Sequence, residues 1–308
     1  MLKLNGKEHV LYSILQGIII TMPSFLSLSE NHLKQLKEDG VIILPNMISS
    51  DIVNDIRKDT LSWYKNISFN NRISSSVIGN NQWIDHVGLC SLKALKLVLD
   101  TNLIKFLKKY FNSDISLGSI SIQKKIFSEN GIPLHSDLGN GLSIFIYLTK
   151  PDKKFGITEF VKRSHLYTID NSFITKNKVD DATYIDLGKS PFSDKDIIKT
   201  HGGIGTVVIF HRSIWHQLPK FTEPGREIIM IRYSNTESSS NDHLVKNSFL
   251  NLLSSIQKEV FLENKSNKNA PSLSKLGSNL DKADVYKIPD WKMILYFIRY
   301  KFFSKARS

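Results

Sequence analysis

A histidine and an aspartate two positions apart are the residues of this chain whose spacing best suits metal chemistry. His135-Ser136-Asp137 lies between two strand-like runs, residues 117–128 and 141–149. In an extended chain, residues i and i+2 point to the same side, so one imidazole and one carboxylate can converge on a metal ion. The pair alone is a weak signal, because the same pattern also describes a loop histidine beside a solvated aspartate.

A second histidine, His216, can complete a ligand set. It lies 81 residues after His135 and follows the strand-like run TVVIFH (206–211) across a short loop. Together with His135 and Asp137 it would form a facial site of two histidines and one carboxylate. Such a site leaves three coordination positions open and is typical of non-haem Fe(II) oxygenases. His211, at the end of the run, is the competing third ligand.

One arginine is placed to enter the interior of the predicted sheet. Arg226 opens the run REIIMIRYS, ten residues after His216, and the prolines and glycine before it would return this strand antiparallel to 206–211. A buried guanidinium needs an anion, because an unpaired buried charge is costly, and a dicarboxylate co-substrate would supply one through a bidentate pair. The alternatives are that Arg226 lies at an exposed strand edge, or that Arg232 takes this role.

The elements that must position these residues change character along the chain. Helical patterns occupy 27–40, a segment from residue 49 onward, and 91–112, with a short buried strand at 41–44. From residue 117 the chain consists of β-branched or aromatic runs separated by turn-forming residues. This order predicts an α+β fold with a mostly β core, in which an antiparallel sandwich or barrel is covered by the N-terminal helices.

The predicted organisation is one domain with two extensions. Residues 27–235 form the domain, residues 1–26 an apolar N-terminal extension, and residues 236–308 a partly flexible, helical C-terminal extension. Within that last extension, 243–263 fits an amphipathic helix, and 264–280 has a flexible composition. Two long loops, 66–90 and about 166–203, are expected to hold the substrate determinants, because long loops in a compact domain are often functional.

The composition excludes several classes of protein. Hydrophobic residues make up 41% of the chain and charged residues 23%, which allows a packed core and excludes a mostly disordered chain. Cys90 is the single cysteine. It excludes an intramolecular disulfide and a cysteine-based zinc site, and it fits a reducing, cytoplasmic location. Residues 10–21 are apolar but short for a membrane span, which needs roughly 20 residues.

The net charge of +12 is distributed unevenly. Residues 1–235 carry a net +7, whereas the last 18 residues, 291–308, hold five basic and no acidic side chains. There, bulky apolar residues are interleaved with cations, as in an interfacial membrane helix. A C-terminal helix docked on the core gives the same pattern and is the favoured interpretation; peripheral membrane contact through 291–308 is the alternative. The charge surplus therefore does not indicate the reaction.

Four segments, in order over about residues 27–235, resemble the phytanoyl-CoA dioxygenase family of Fe(II)- and 2-oxoglutarate-dependent oxygenases. They are SLSENHLKQLKEDGVIILPNMISSDIV, the pair HSD (135–137), LSIFIYLTKPDKKFGITEFVKRSH (142–165) and GTVVIFHRSIWHQLPKFTEPGR (205–226). Some positions depart from the family pattern. Lys162-Arg163 stands where the family usually has Pro-Gly, and Leu218 and Lys220 stand where it often has Ser and Asn.

The resemblance implies a double-stranded β-helix in which His135, Asp137 and His216 hold Fe(II). It implies further that Arg226 pairs with the distal carboxylate of 2-oxoglutarate and that O2 takes the last coordination position. The other residues that it assigns to the co-substrate pocket are Thr222, Gln123 and Phe145. The implied activity is hydroxylation of a small-molecule or lipid-like substrate, with decarboxylation of 2-oxoglutarate to succinate. Asp137 argues against halogenation, because related halogenases lack the carboxylate.

Three other functions stay open as alternatives. They are a non-catalytic binding protein on the same fold, a nucleic-acid demethylase of the same superfamily, and a cupin-like metal enzyme that does not use 2-oxoglutarate. The intact ligand set opposes the first, and the placement of Arg226 opposes the third. The demethylases usually have Asn and Thr between two such arginines, where this chain has Ile228 and Met230. We therefore expect a small-molecule substrate and no nucleic-acid partner.

Overall fold

Antiparallel β-sheets form most of the structure, which is a computed structural model. The predicted mostly β core with accompanying helices is confirmed. The structure describes the following residues: 25–65, 75–78, 81–84, 87–125, 131–137, 139–167, 174–175, 182–185, 191–223, 225–235, 243–246, 249, 251–262 and 285–288.

Helices precede the strands of the core, as expected from the sequence. They are α1 (Glu30–Asp39), α2 (Ser50–Lys65), α3 (Val87–Cys90), α4 (Leu92–Val98), α5 (Thr101–Phe111) and, near the other end of the chain, α6 (Ser255–Leu262). Helix α1 ends at Gly40, whose φ of 77° is the left-handed conformation that glycine adopts readily. The Asp100 carboxylate accepts hydrogen bonds from the backbone N–H groups of Asn102 and Leu103 and so caps α5.

The larger sheet has seven strands. In spatial order they are β1 (Val41–Leu44), β11 (Val207–His211), β6 (Leu142–Tyr147), β13 (Arg226–Ser234), β4 (Ser116–Lys125), β3 (Asn81–Ile84) and β2 (Ser75–Ile78). Every neighbouring pair is antiparallel. The central strand β13 runs between β6 and β4, so its backbone is hydrogen-bonded along both edges.

The smaller sheet has six antiparallel strands and carries His135 and His216. In spatial order they are β10 (Ile197–Lys199), β7 (Glu159–Val161), β12 (His216–Leu218), β5 (Ile132–Asp137), β9 (Ala182–Ile185) and β8 (Ile174–Thr175). Strands β14 (His243–Lys246) and β15 (Val285–Ile288) form a separate parallel pair.

The two faces of the larger sheet contact different parts of the protein. On β13, Ile229 and Ile231 belong to the core cluster that also contains the buried residues of the helices. The alternate residue Ile228 belongs to a second cluster, in which Phe145 of β6 packs with Phe160 of the smaller sheet. Because successive strand residues face opposite sides, one face is covered by helices and the other faces the smaller sheet. The space between the sheets is called the interior below.

Three expected elements differ in the structure. The predicted loop at about 166–203 contains β8, β9 and β10, which are strands of the smaller sheet. Part of the predicted loop 66–90 forms the antiparallel hairpin of β2 and β3, in which polar residues accompany the β-forming pairs Val77-Ile78 and Trp83-Ile84 on either side of Gly79-Asn80. The predicted helix at 243–263 is instead strand β14 followed by the shorter helix α6. The apolar segment 10–21, the segment 264–280 and the basic segment 291–308 lie outside the described residues. No helix in the described part of the chain is long and apolar enough to cross a membrane.

Gly205, just before β11, is expected to be intolerant of a side chain. Its φ is +80°, and a Cβ there would collide with the carbonyl oxygen of Ile48. We expect Gly205→Ala to lower the free energy of unfolding by about 2–5 kcal/mol, from backbone strain and the steric clash together. Gly225, with φ +125° and no atom of the described residues within 4 Å of a Cβ, is the matched control, and Gly225→Ala should cost about 1–3 kcal/mol. Denaturant titrations measure both variants, and an equal loss of unfolding free energy in the two would contradict a steric clash at Gly205.

Candidate metal centre and co-substrate pocket

The structure brings His135, Asp137 and His216 together. His135 and Asp137 lie two residues apart on β5, and His216 opens β12 directly opposite His135 in the strand pairing. One ligand atom from each residue lies within 4.8 Å of the others, and the two imidazole rings are 4.2 Å apart. Within the described ranges, no other group of three histidine, cysteine or acidic side chains is placed this way.

Backbone carbonyls orient both imidazoles. His135 Nδ1 lies 2.8 Å from the carbonyl oxygen of Pro133, and His216 Nδ1 lies 3.0 Å from that of Ile214. A carbonyl can only accept, so each Nδ1 carries the proton and donates. The lone pair of each ring is then on Nε2, the atom left to bind a metal. This second hydrogen bond is the usual way in which proteins fix the tautomer of a metal-binding histidine.

His216 is buried and neutral at physiological pH. Its side chain stacks with Phe160 at 5.8 Å and contacts Phe210 at 5.2 Å between ring centroids. Burial, reinforced by the neighbouring His135, lowers the pKa of His216 to about 4. A neutral imidazole is the form that binds metal, so no proton has to be displaced at pH 7.

The competing histidine, His211, is not part of this group. Its Nδ1 lies 2.7 Å from the hydroxyl of Ser213, and its ring contacts His165 at 5.3 Å. The reason is geometric: His211 ends β11 in the larger sheet, whereas His216 has crossed to the smaller sheet. The sequence left the choice between the two open, and the structure favours His216.

Arg226 is buried in the interior, with 4% of its surface exposed. Its Nη2 donates a hydrogen bond of 2.9 Å to the hydroxyl of Thr158, and the guanidinium carbon lies 6.0 Å from the ring centre of Phe145 and 5.6 Å from that of Tyr147. Its Nε is buried and has no hydrogen-bond partner among the described residues. No described carboxylate forms an ion pair with it. The guanidinium therefore has free donors suited to an anionic ligand.

The hydroxyl that supports Arg226 comes from Thr158, not from the predicted Thr222. Thr222 is exposed in the turn before β13, and a residue in that turn faces solvent rather than the interior. Thr158, just before β7, lies 2.9 Å from the hydroxyl of Tyr147, and its carbonyl accepts a hydrogen bond from Thr200. The contact between Thr158 and Arg226 joins the two sheets, which a reading of one strand at a time does not reveal.

Lys125 is a second interior cation, which the sequence patterns did not single out. It is the direct cross-strand neighbour of Arg226, and 7% of its surface is exposed. Burial, and to a lesser degree Arg226, lowers its pKa to about 7. A signal was present: Gln123 was predicted to line the pocket, and Lys125 lies two residues further on the same strand, so it faces the same side.

Gln123 and Phe145, which the resemblance assigns to the co-substrate pocket, are both buried in the interior. The amide of Gln123 donates to the hydroxyl of Ser121 at 3.4 Å and approaches the sulfur of Met230 at 3.3 Å. The ring of Phe145 meets that of Phe210 edge-on at 4.8 Å. Because Phe145 also contacts Arg226 and Phe210 contacts His216, two aromatic rings line the path from the arginine to the histidines.

Arg232 contacts the metal-ligand group itself. Its Nη2 lies 3.4 Å from Oδ2 of Asp137. It had been the weaker alternative to Arg226 for binding a co-substrate carboxylate. The structure separates the two arginines: Arg226 is at the beginning of β13 beside Lys125, and Arg232 is six residues on, beside the carboxylate of the metal-ligand group.

Comparisons in sequence find no relative: no protein-family model matches the chain, and no curated protein matches it. Solved structures do match. The non-haem alpha-ketoglutarate-dependent carbocyclase SnoK from nogalamycin biosynthesis has a TM-score of 0.52 and 15% identity, over 69% of this chain and 86% of that chain. HygX from Streptomyces hygroscopicus, solved with nickel, 2-oxoglutarate and hygromycin B bound, has a TM-score of 0.53 and 14% identity, over 71% of this chain and 91% of that chain.

At such low identity these likenesses establish the fold. The chain has the fold of structures that include metal- and 2-oxoglutarate-dependent enzymes, and its two histidines and one aspartate are the donor set of non-haem iron oxygenases. Membership of the phytanoyl-CoA dioxygenase family stays a prediction.

A metal-binding test separates the two candidate histidines. His216→Ala is expected to abolish tight Fe(II) binding, because it removes one of three ligands, whereas His211→Ala should retain it. Anaerobic calorimetry with Fe(II) on the full chain measures both. Loss of binding in His211→Ala, with retention in His216→Ala, would contradict the assignment.

Lys125 is expected to destabilise the protein in the absence of a ligand. Its folded-state pKa of about 7 lies below the usual lysine value of about 10.4. Between these pH values the unfolded state binds more protons than the folded state. The loss of unfolding free energy caused by Lys125 is therefore largest at pH 7 and below, and it decreases towards about pH 10. Lys125→Met should therefore raise the unfolding free energy at pH 7, and the gain should shrink as the pH rises.

Denaturant titrations at several pH values measure this gain. Lys124→Met is the matched control, because Lys124 is adjacent on β4 and faces the opposite side of the sheet. A gain in unfolding free energy for Lys125→Met that does not change between pH 7 and pH 10 would contradict the lowered pKa of Lys125.

Proposed function

We propose that the chain is an Fe(II)- and 2-oxoglutarate-dependent dioxygenase that hydroxylates a small-molecule substrate. The observation that carries this proposal is the paired orientation of His135 and His216 beside Asp137. Both imidazoles are held by backbone carbonyls so that Nε2 is left for metal. Two histidines and a carboxylate on one side of an ion leave the opposite side for a co-substrate, O2 and a substrate. The likeness to HygX, which was solved with 2-oxoglutarate bound, supports the assignment.

Arg226, Thr158 and Lys125 would hold the distal carboxylate of 2-oxoglutarate. Arg226 has a buried Nε without a partner, and Lys125 is its cross-strand neighbour. Two cations this close in a buried site repel each other, and a carboxylate between them would reverse that cost. Thr158 keeps the guanidinium in place through its hydroxyl. The donor chemistry of the site thus fits a dicarboxylate better than a neutral ligand.

When bound, the metal and 2-oxoglutarate supply oxidising chemistry with O2, in which decarboxylation to succinate accompanies the insertion of one oxygen atom into a C–H bond. The chain contributes position and shielding. Phe145, Phe160 and Phe210 surround His216 and the path to Arg226, so water is excluded from the co-substrate side. Asp137 is more accessible than His216, because 17% of the Asp137 side chain is exposed whereas His216 is buried.

We further propose that residues 27–235 form the catalytic domain, and that their two facing sheets are a double-stranded β-helix. The antiparallel order of both sheets and the position of the metal ligands on the smaller sheet support this. The substrate is proposed to be a small molecule, because buried apolar side chains such as Phe145, Phe160 and Phe210 occupy much of the described interior.

The proposal is tested by loading the full chain with Fe(II) and 2-oxoglutarate without oxygen. We expect a weak visible charge-transfer band, which His216→Ala should abolish. Admission of O2 should then release succinate, slowly without substrate and faster when a substrate is found. Absence of both the band and succinate would refute the proposed function and favour a non-catalytic role.

Arg226 distinguishes a 2-oxoglutarate enzyme from a metal enzyme that does not use it. Arg226→Gln is expected to weaken 2-oxoglutarate binding roughly ten- to hundred-fold, the usual value of a hydrogen bond to a charged group. Titration of the charge-transfer band measures the change. Arg163→Gln, which replaces an exposed arginine paired with Asp39, should leave the affinity as it is. Unchanged binding in Arg226→Gln would overturn the co-substrate assignment.

A further inference from the structure

Arg232 has donors that its one described contact does not use. The contact to Asp137 Oδ2 is 3.4 Å long, whereas charge-assisted hydrogen bonds are about 2.7–2.9 Å. The Nε of Arg232 is buried and has no partner among the described residues. Yet 36% of the side chain is exposed, so the guanidinium can be reached from solvent. It is therefore loosely engaged, accessible and next to the proposed metal centre.

Ser143 offers a second unused donor at the same place. It is the cross-strand neighbour of Arg232 in the pairing of β6 with β13, so the two Cβ atoms are about 5 Å apart on one face of the sheet. The Ser143 hydroxyl is buried and also has no partner among the described side chains and backbone. Buried polar groups are nearly always paired in folded proteins. Two adjacent donors are therefore available to an acceptor that a ligand supplies.

The charges of the proposed loaded site point to the same conclusion. Fe(II), Arg226 and Arg232 together bring four positive charges, against one negative charge on Asp137 and two on 2-oxoglutarate. Protonated Lys125 would add to this excess. A positive excess beside a largely buried metal centre favours the binding of an anion.

The other buried acids of the described structure are already paired elsewhere. Glu159 accepts from Gln217 and pairs with Lys199, and Glu227 pairs with Arg57 on the helix-covered face. Asp100 accepts from two backbone N–H groups at the start of α5. Among the described residues, no buried acid other than Asp137 is therefore available to balance Arg232.

We infer that Arg232 and the Ser143 hydroxyl bind an anionic group of the substrate, a carboxylate or a phosphate ester, beside the metal. The inference rests on the proposed function and adds the chemical class of its substrate. Metal binding takes up the charge of Asp137 and so leaves the guanidinium to the substrate. The C–H bond that is oxidised lies near the anionic group, because Arg232 is next to a metal ligand.

The test uses the full chain loaded with Fe(II) and 2-oxoglutarate without oxygen, so that Arg226 is already occupied. Acetate and methyl phosphate are the probes, and calorimetry measures their binding. The wild-type complex should bind at least one of them, which identifies the preferred anion. Arg232→Gln should weaken that binding about ten-fold or more, and Arg232→Lys should restore part of it, because the charge returns without the planar fork. Lys58→Gln, which removes an exposed charge on α2, should bind as the wild type does.

The charge-transfer band reports separately on loading of each variant. If the wild type binds neither probe, or if Arg232→Gln binds as tightly as the wild type, the inference is overturned while the proposed function stands. If Arg232→Gln fails to load, Ser143→Val decides, because it removes the second donor without touching Asp137; unchanged probe binding there overturns the inference. A wild type without the band would refute the proposed function. Calorimetric binding of acetate or methyl phosphate to that chain would then show whether Arg232 and Ser143 bind an anion independently of the reaction.

Discussion

The site depends on one strand register, the pairing of β12 with β5 that sets His216 opposite His135. A strand places alternate side chains on opposite faces, so a slip of one residue would turn His216 out of the interior. The same register leaves the carbonyl of Ile214 next to His216 and that of Pro133 next to His135. Position and tautomer of both imidazoles therefore follow from backbone hydrogen bonding.

The two faces of the larger sheet have different roles: one packs against the helices, and the other lines the proposed site. Isoleucines such as Ile229 and Ile231 face the helices and form the extensive core. The interior face has a smaller apolar cluster, and it also carries two arginines, a lysine and several hydroxyl groups. These polar groups destabilise the protein when they are buried and unpaired. The helices stabilise the sheet by packing on one side of it. Because the other side is left uncovered by helices, it can hold buried cations that a bound anion would neutralise.

The sequence predicted more of the site than of its surroundings. The metal-ligand group and Arg226 were found because strand alternation and the turn before β13 are local patterns. His211 could not be separated from His216, since the crossing from one sheet to the other occurs in four residues. Thr158 was missed because its contact with Arg226 joins strands that are far apart in sequence. Lys125 could have been found by extending the alternation from Gln123, and the hairpin of β2 and β3 was hidden by polar residues around it.

The edge strand β1 has a consequence for how the protein is made. Val41 pairs with Phe210, so 169 residues separate two neighbouring strands of one sheet. Contacts of such sequence separation form slowly, because a long loop must close first. On a ribosome that adds about 5–20 residues per second, β1 waits about 10–30 s for its partner. During that time its apolar residues are unpaired, and the early helices are the parts of the chain available to cover them.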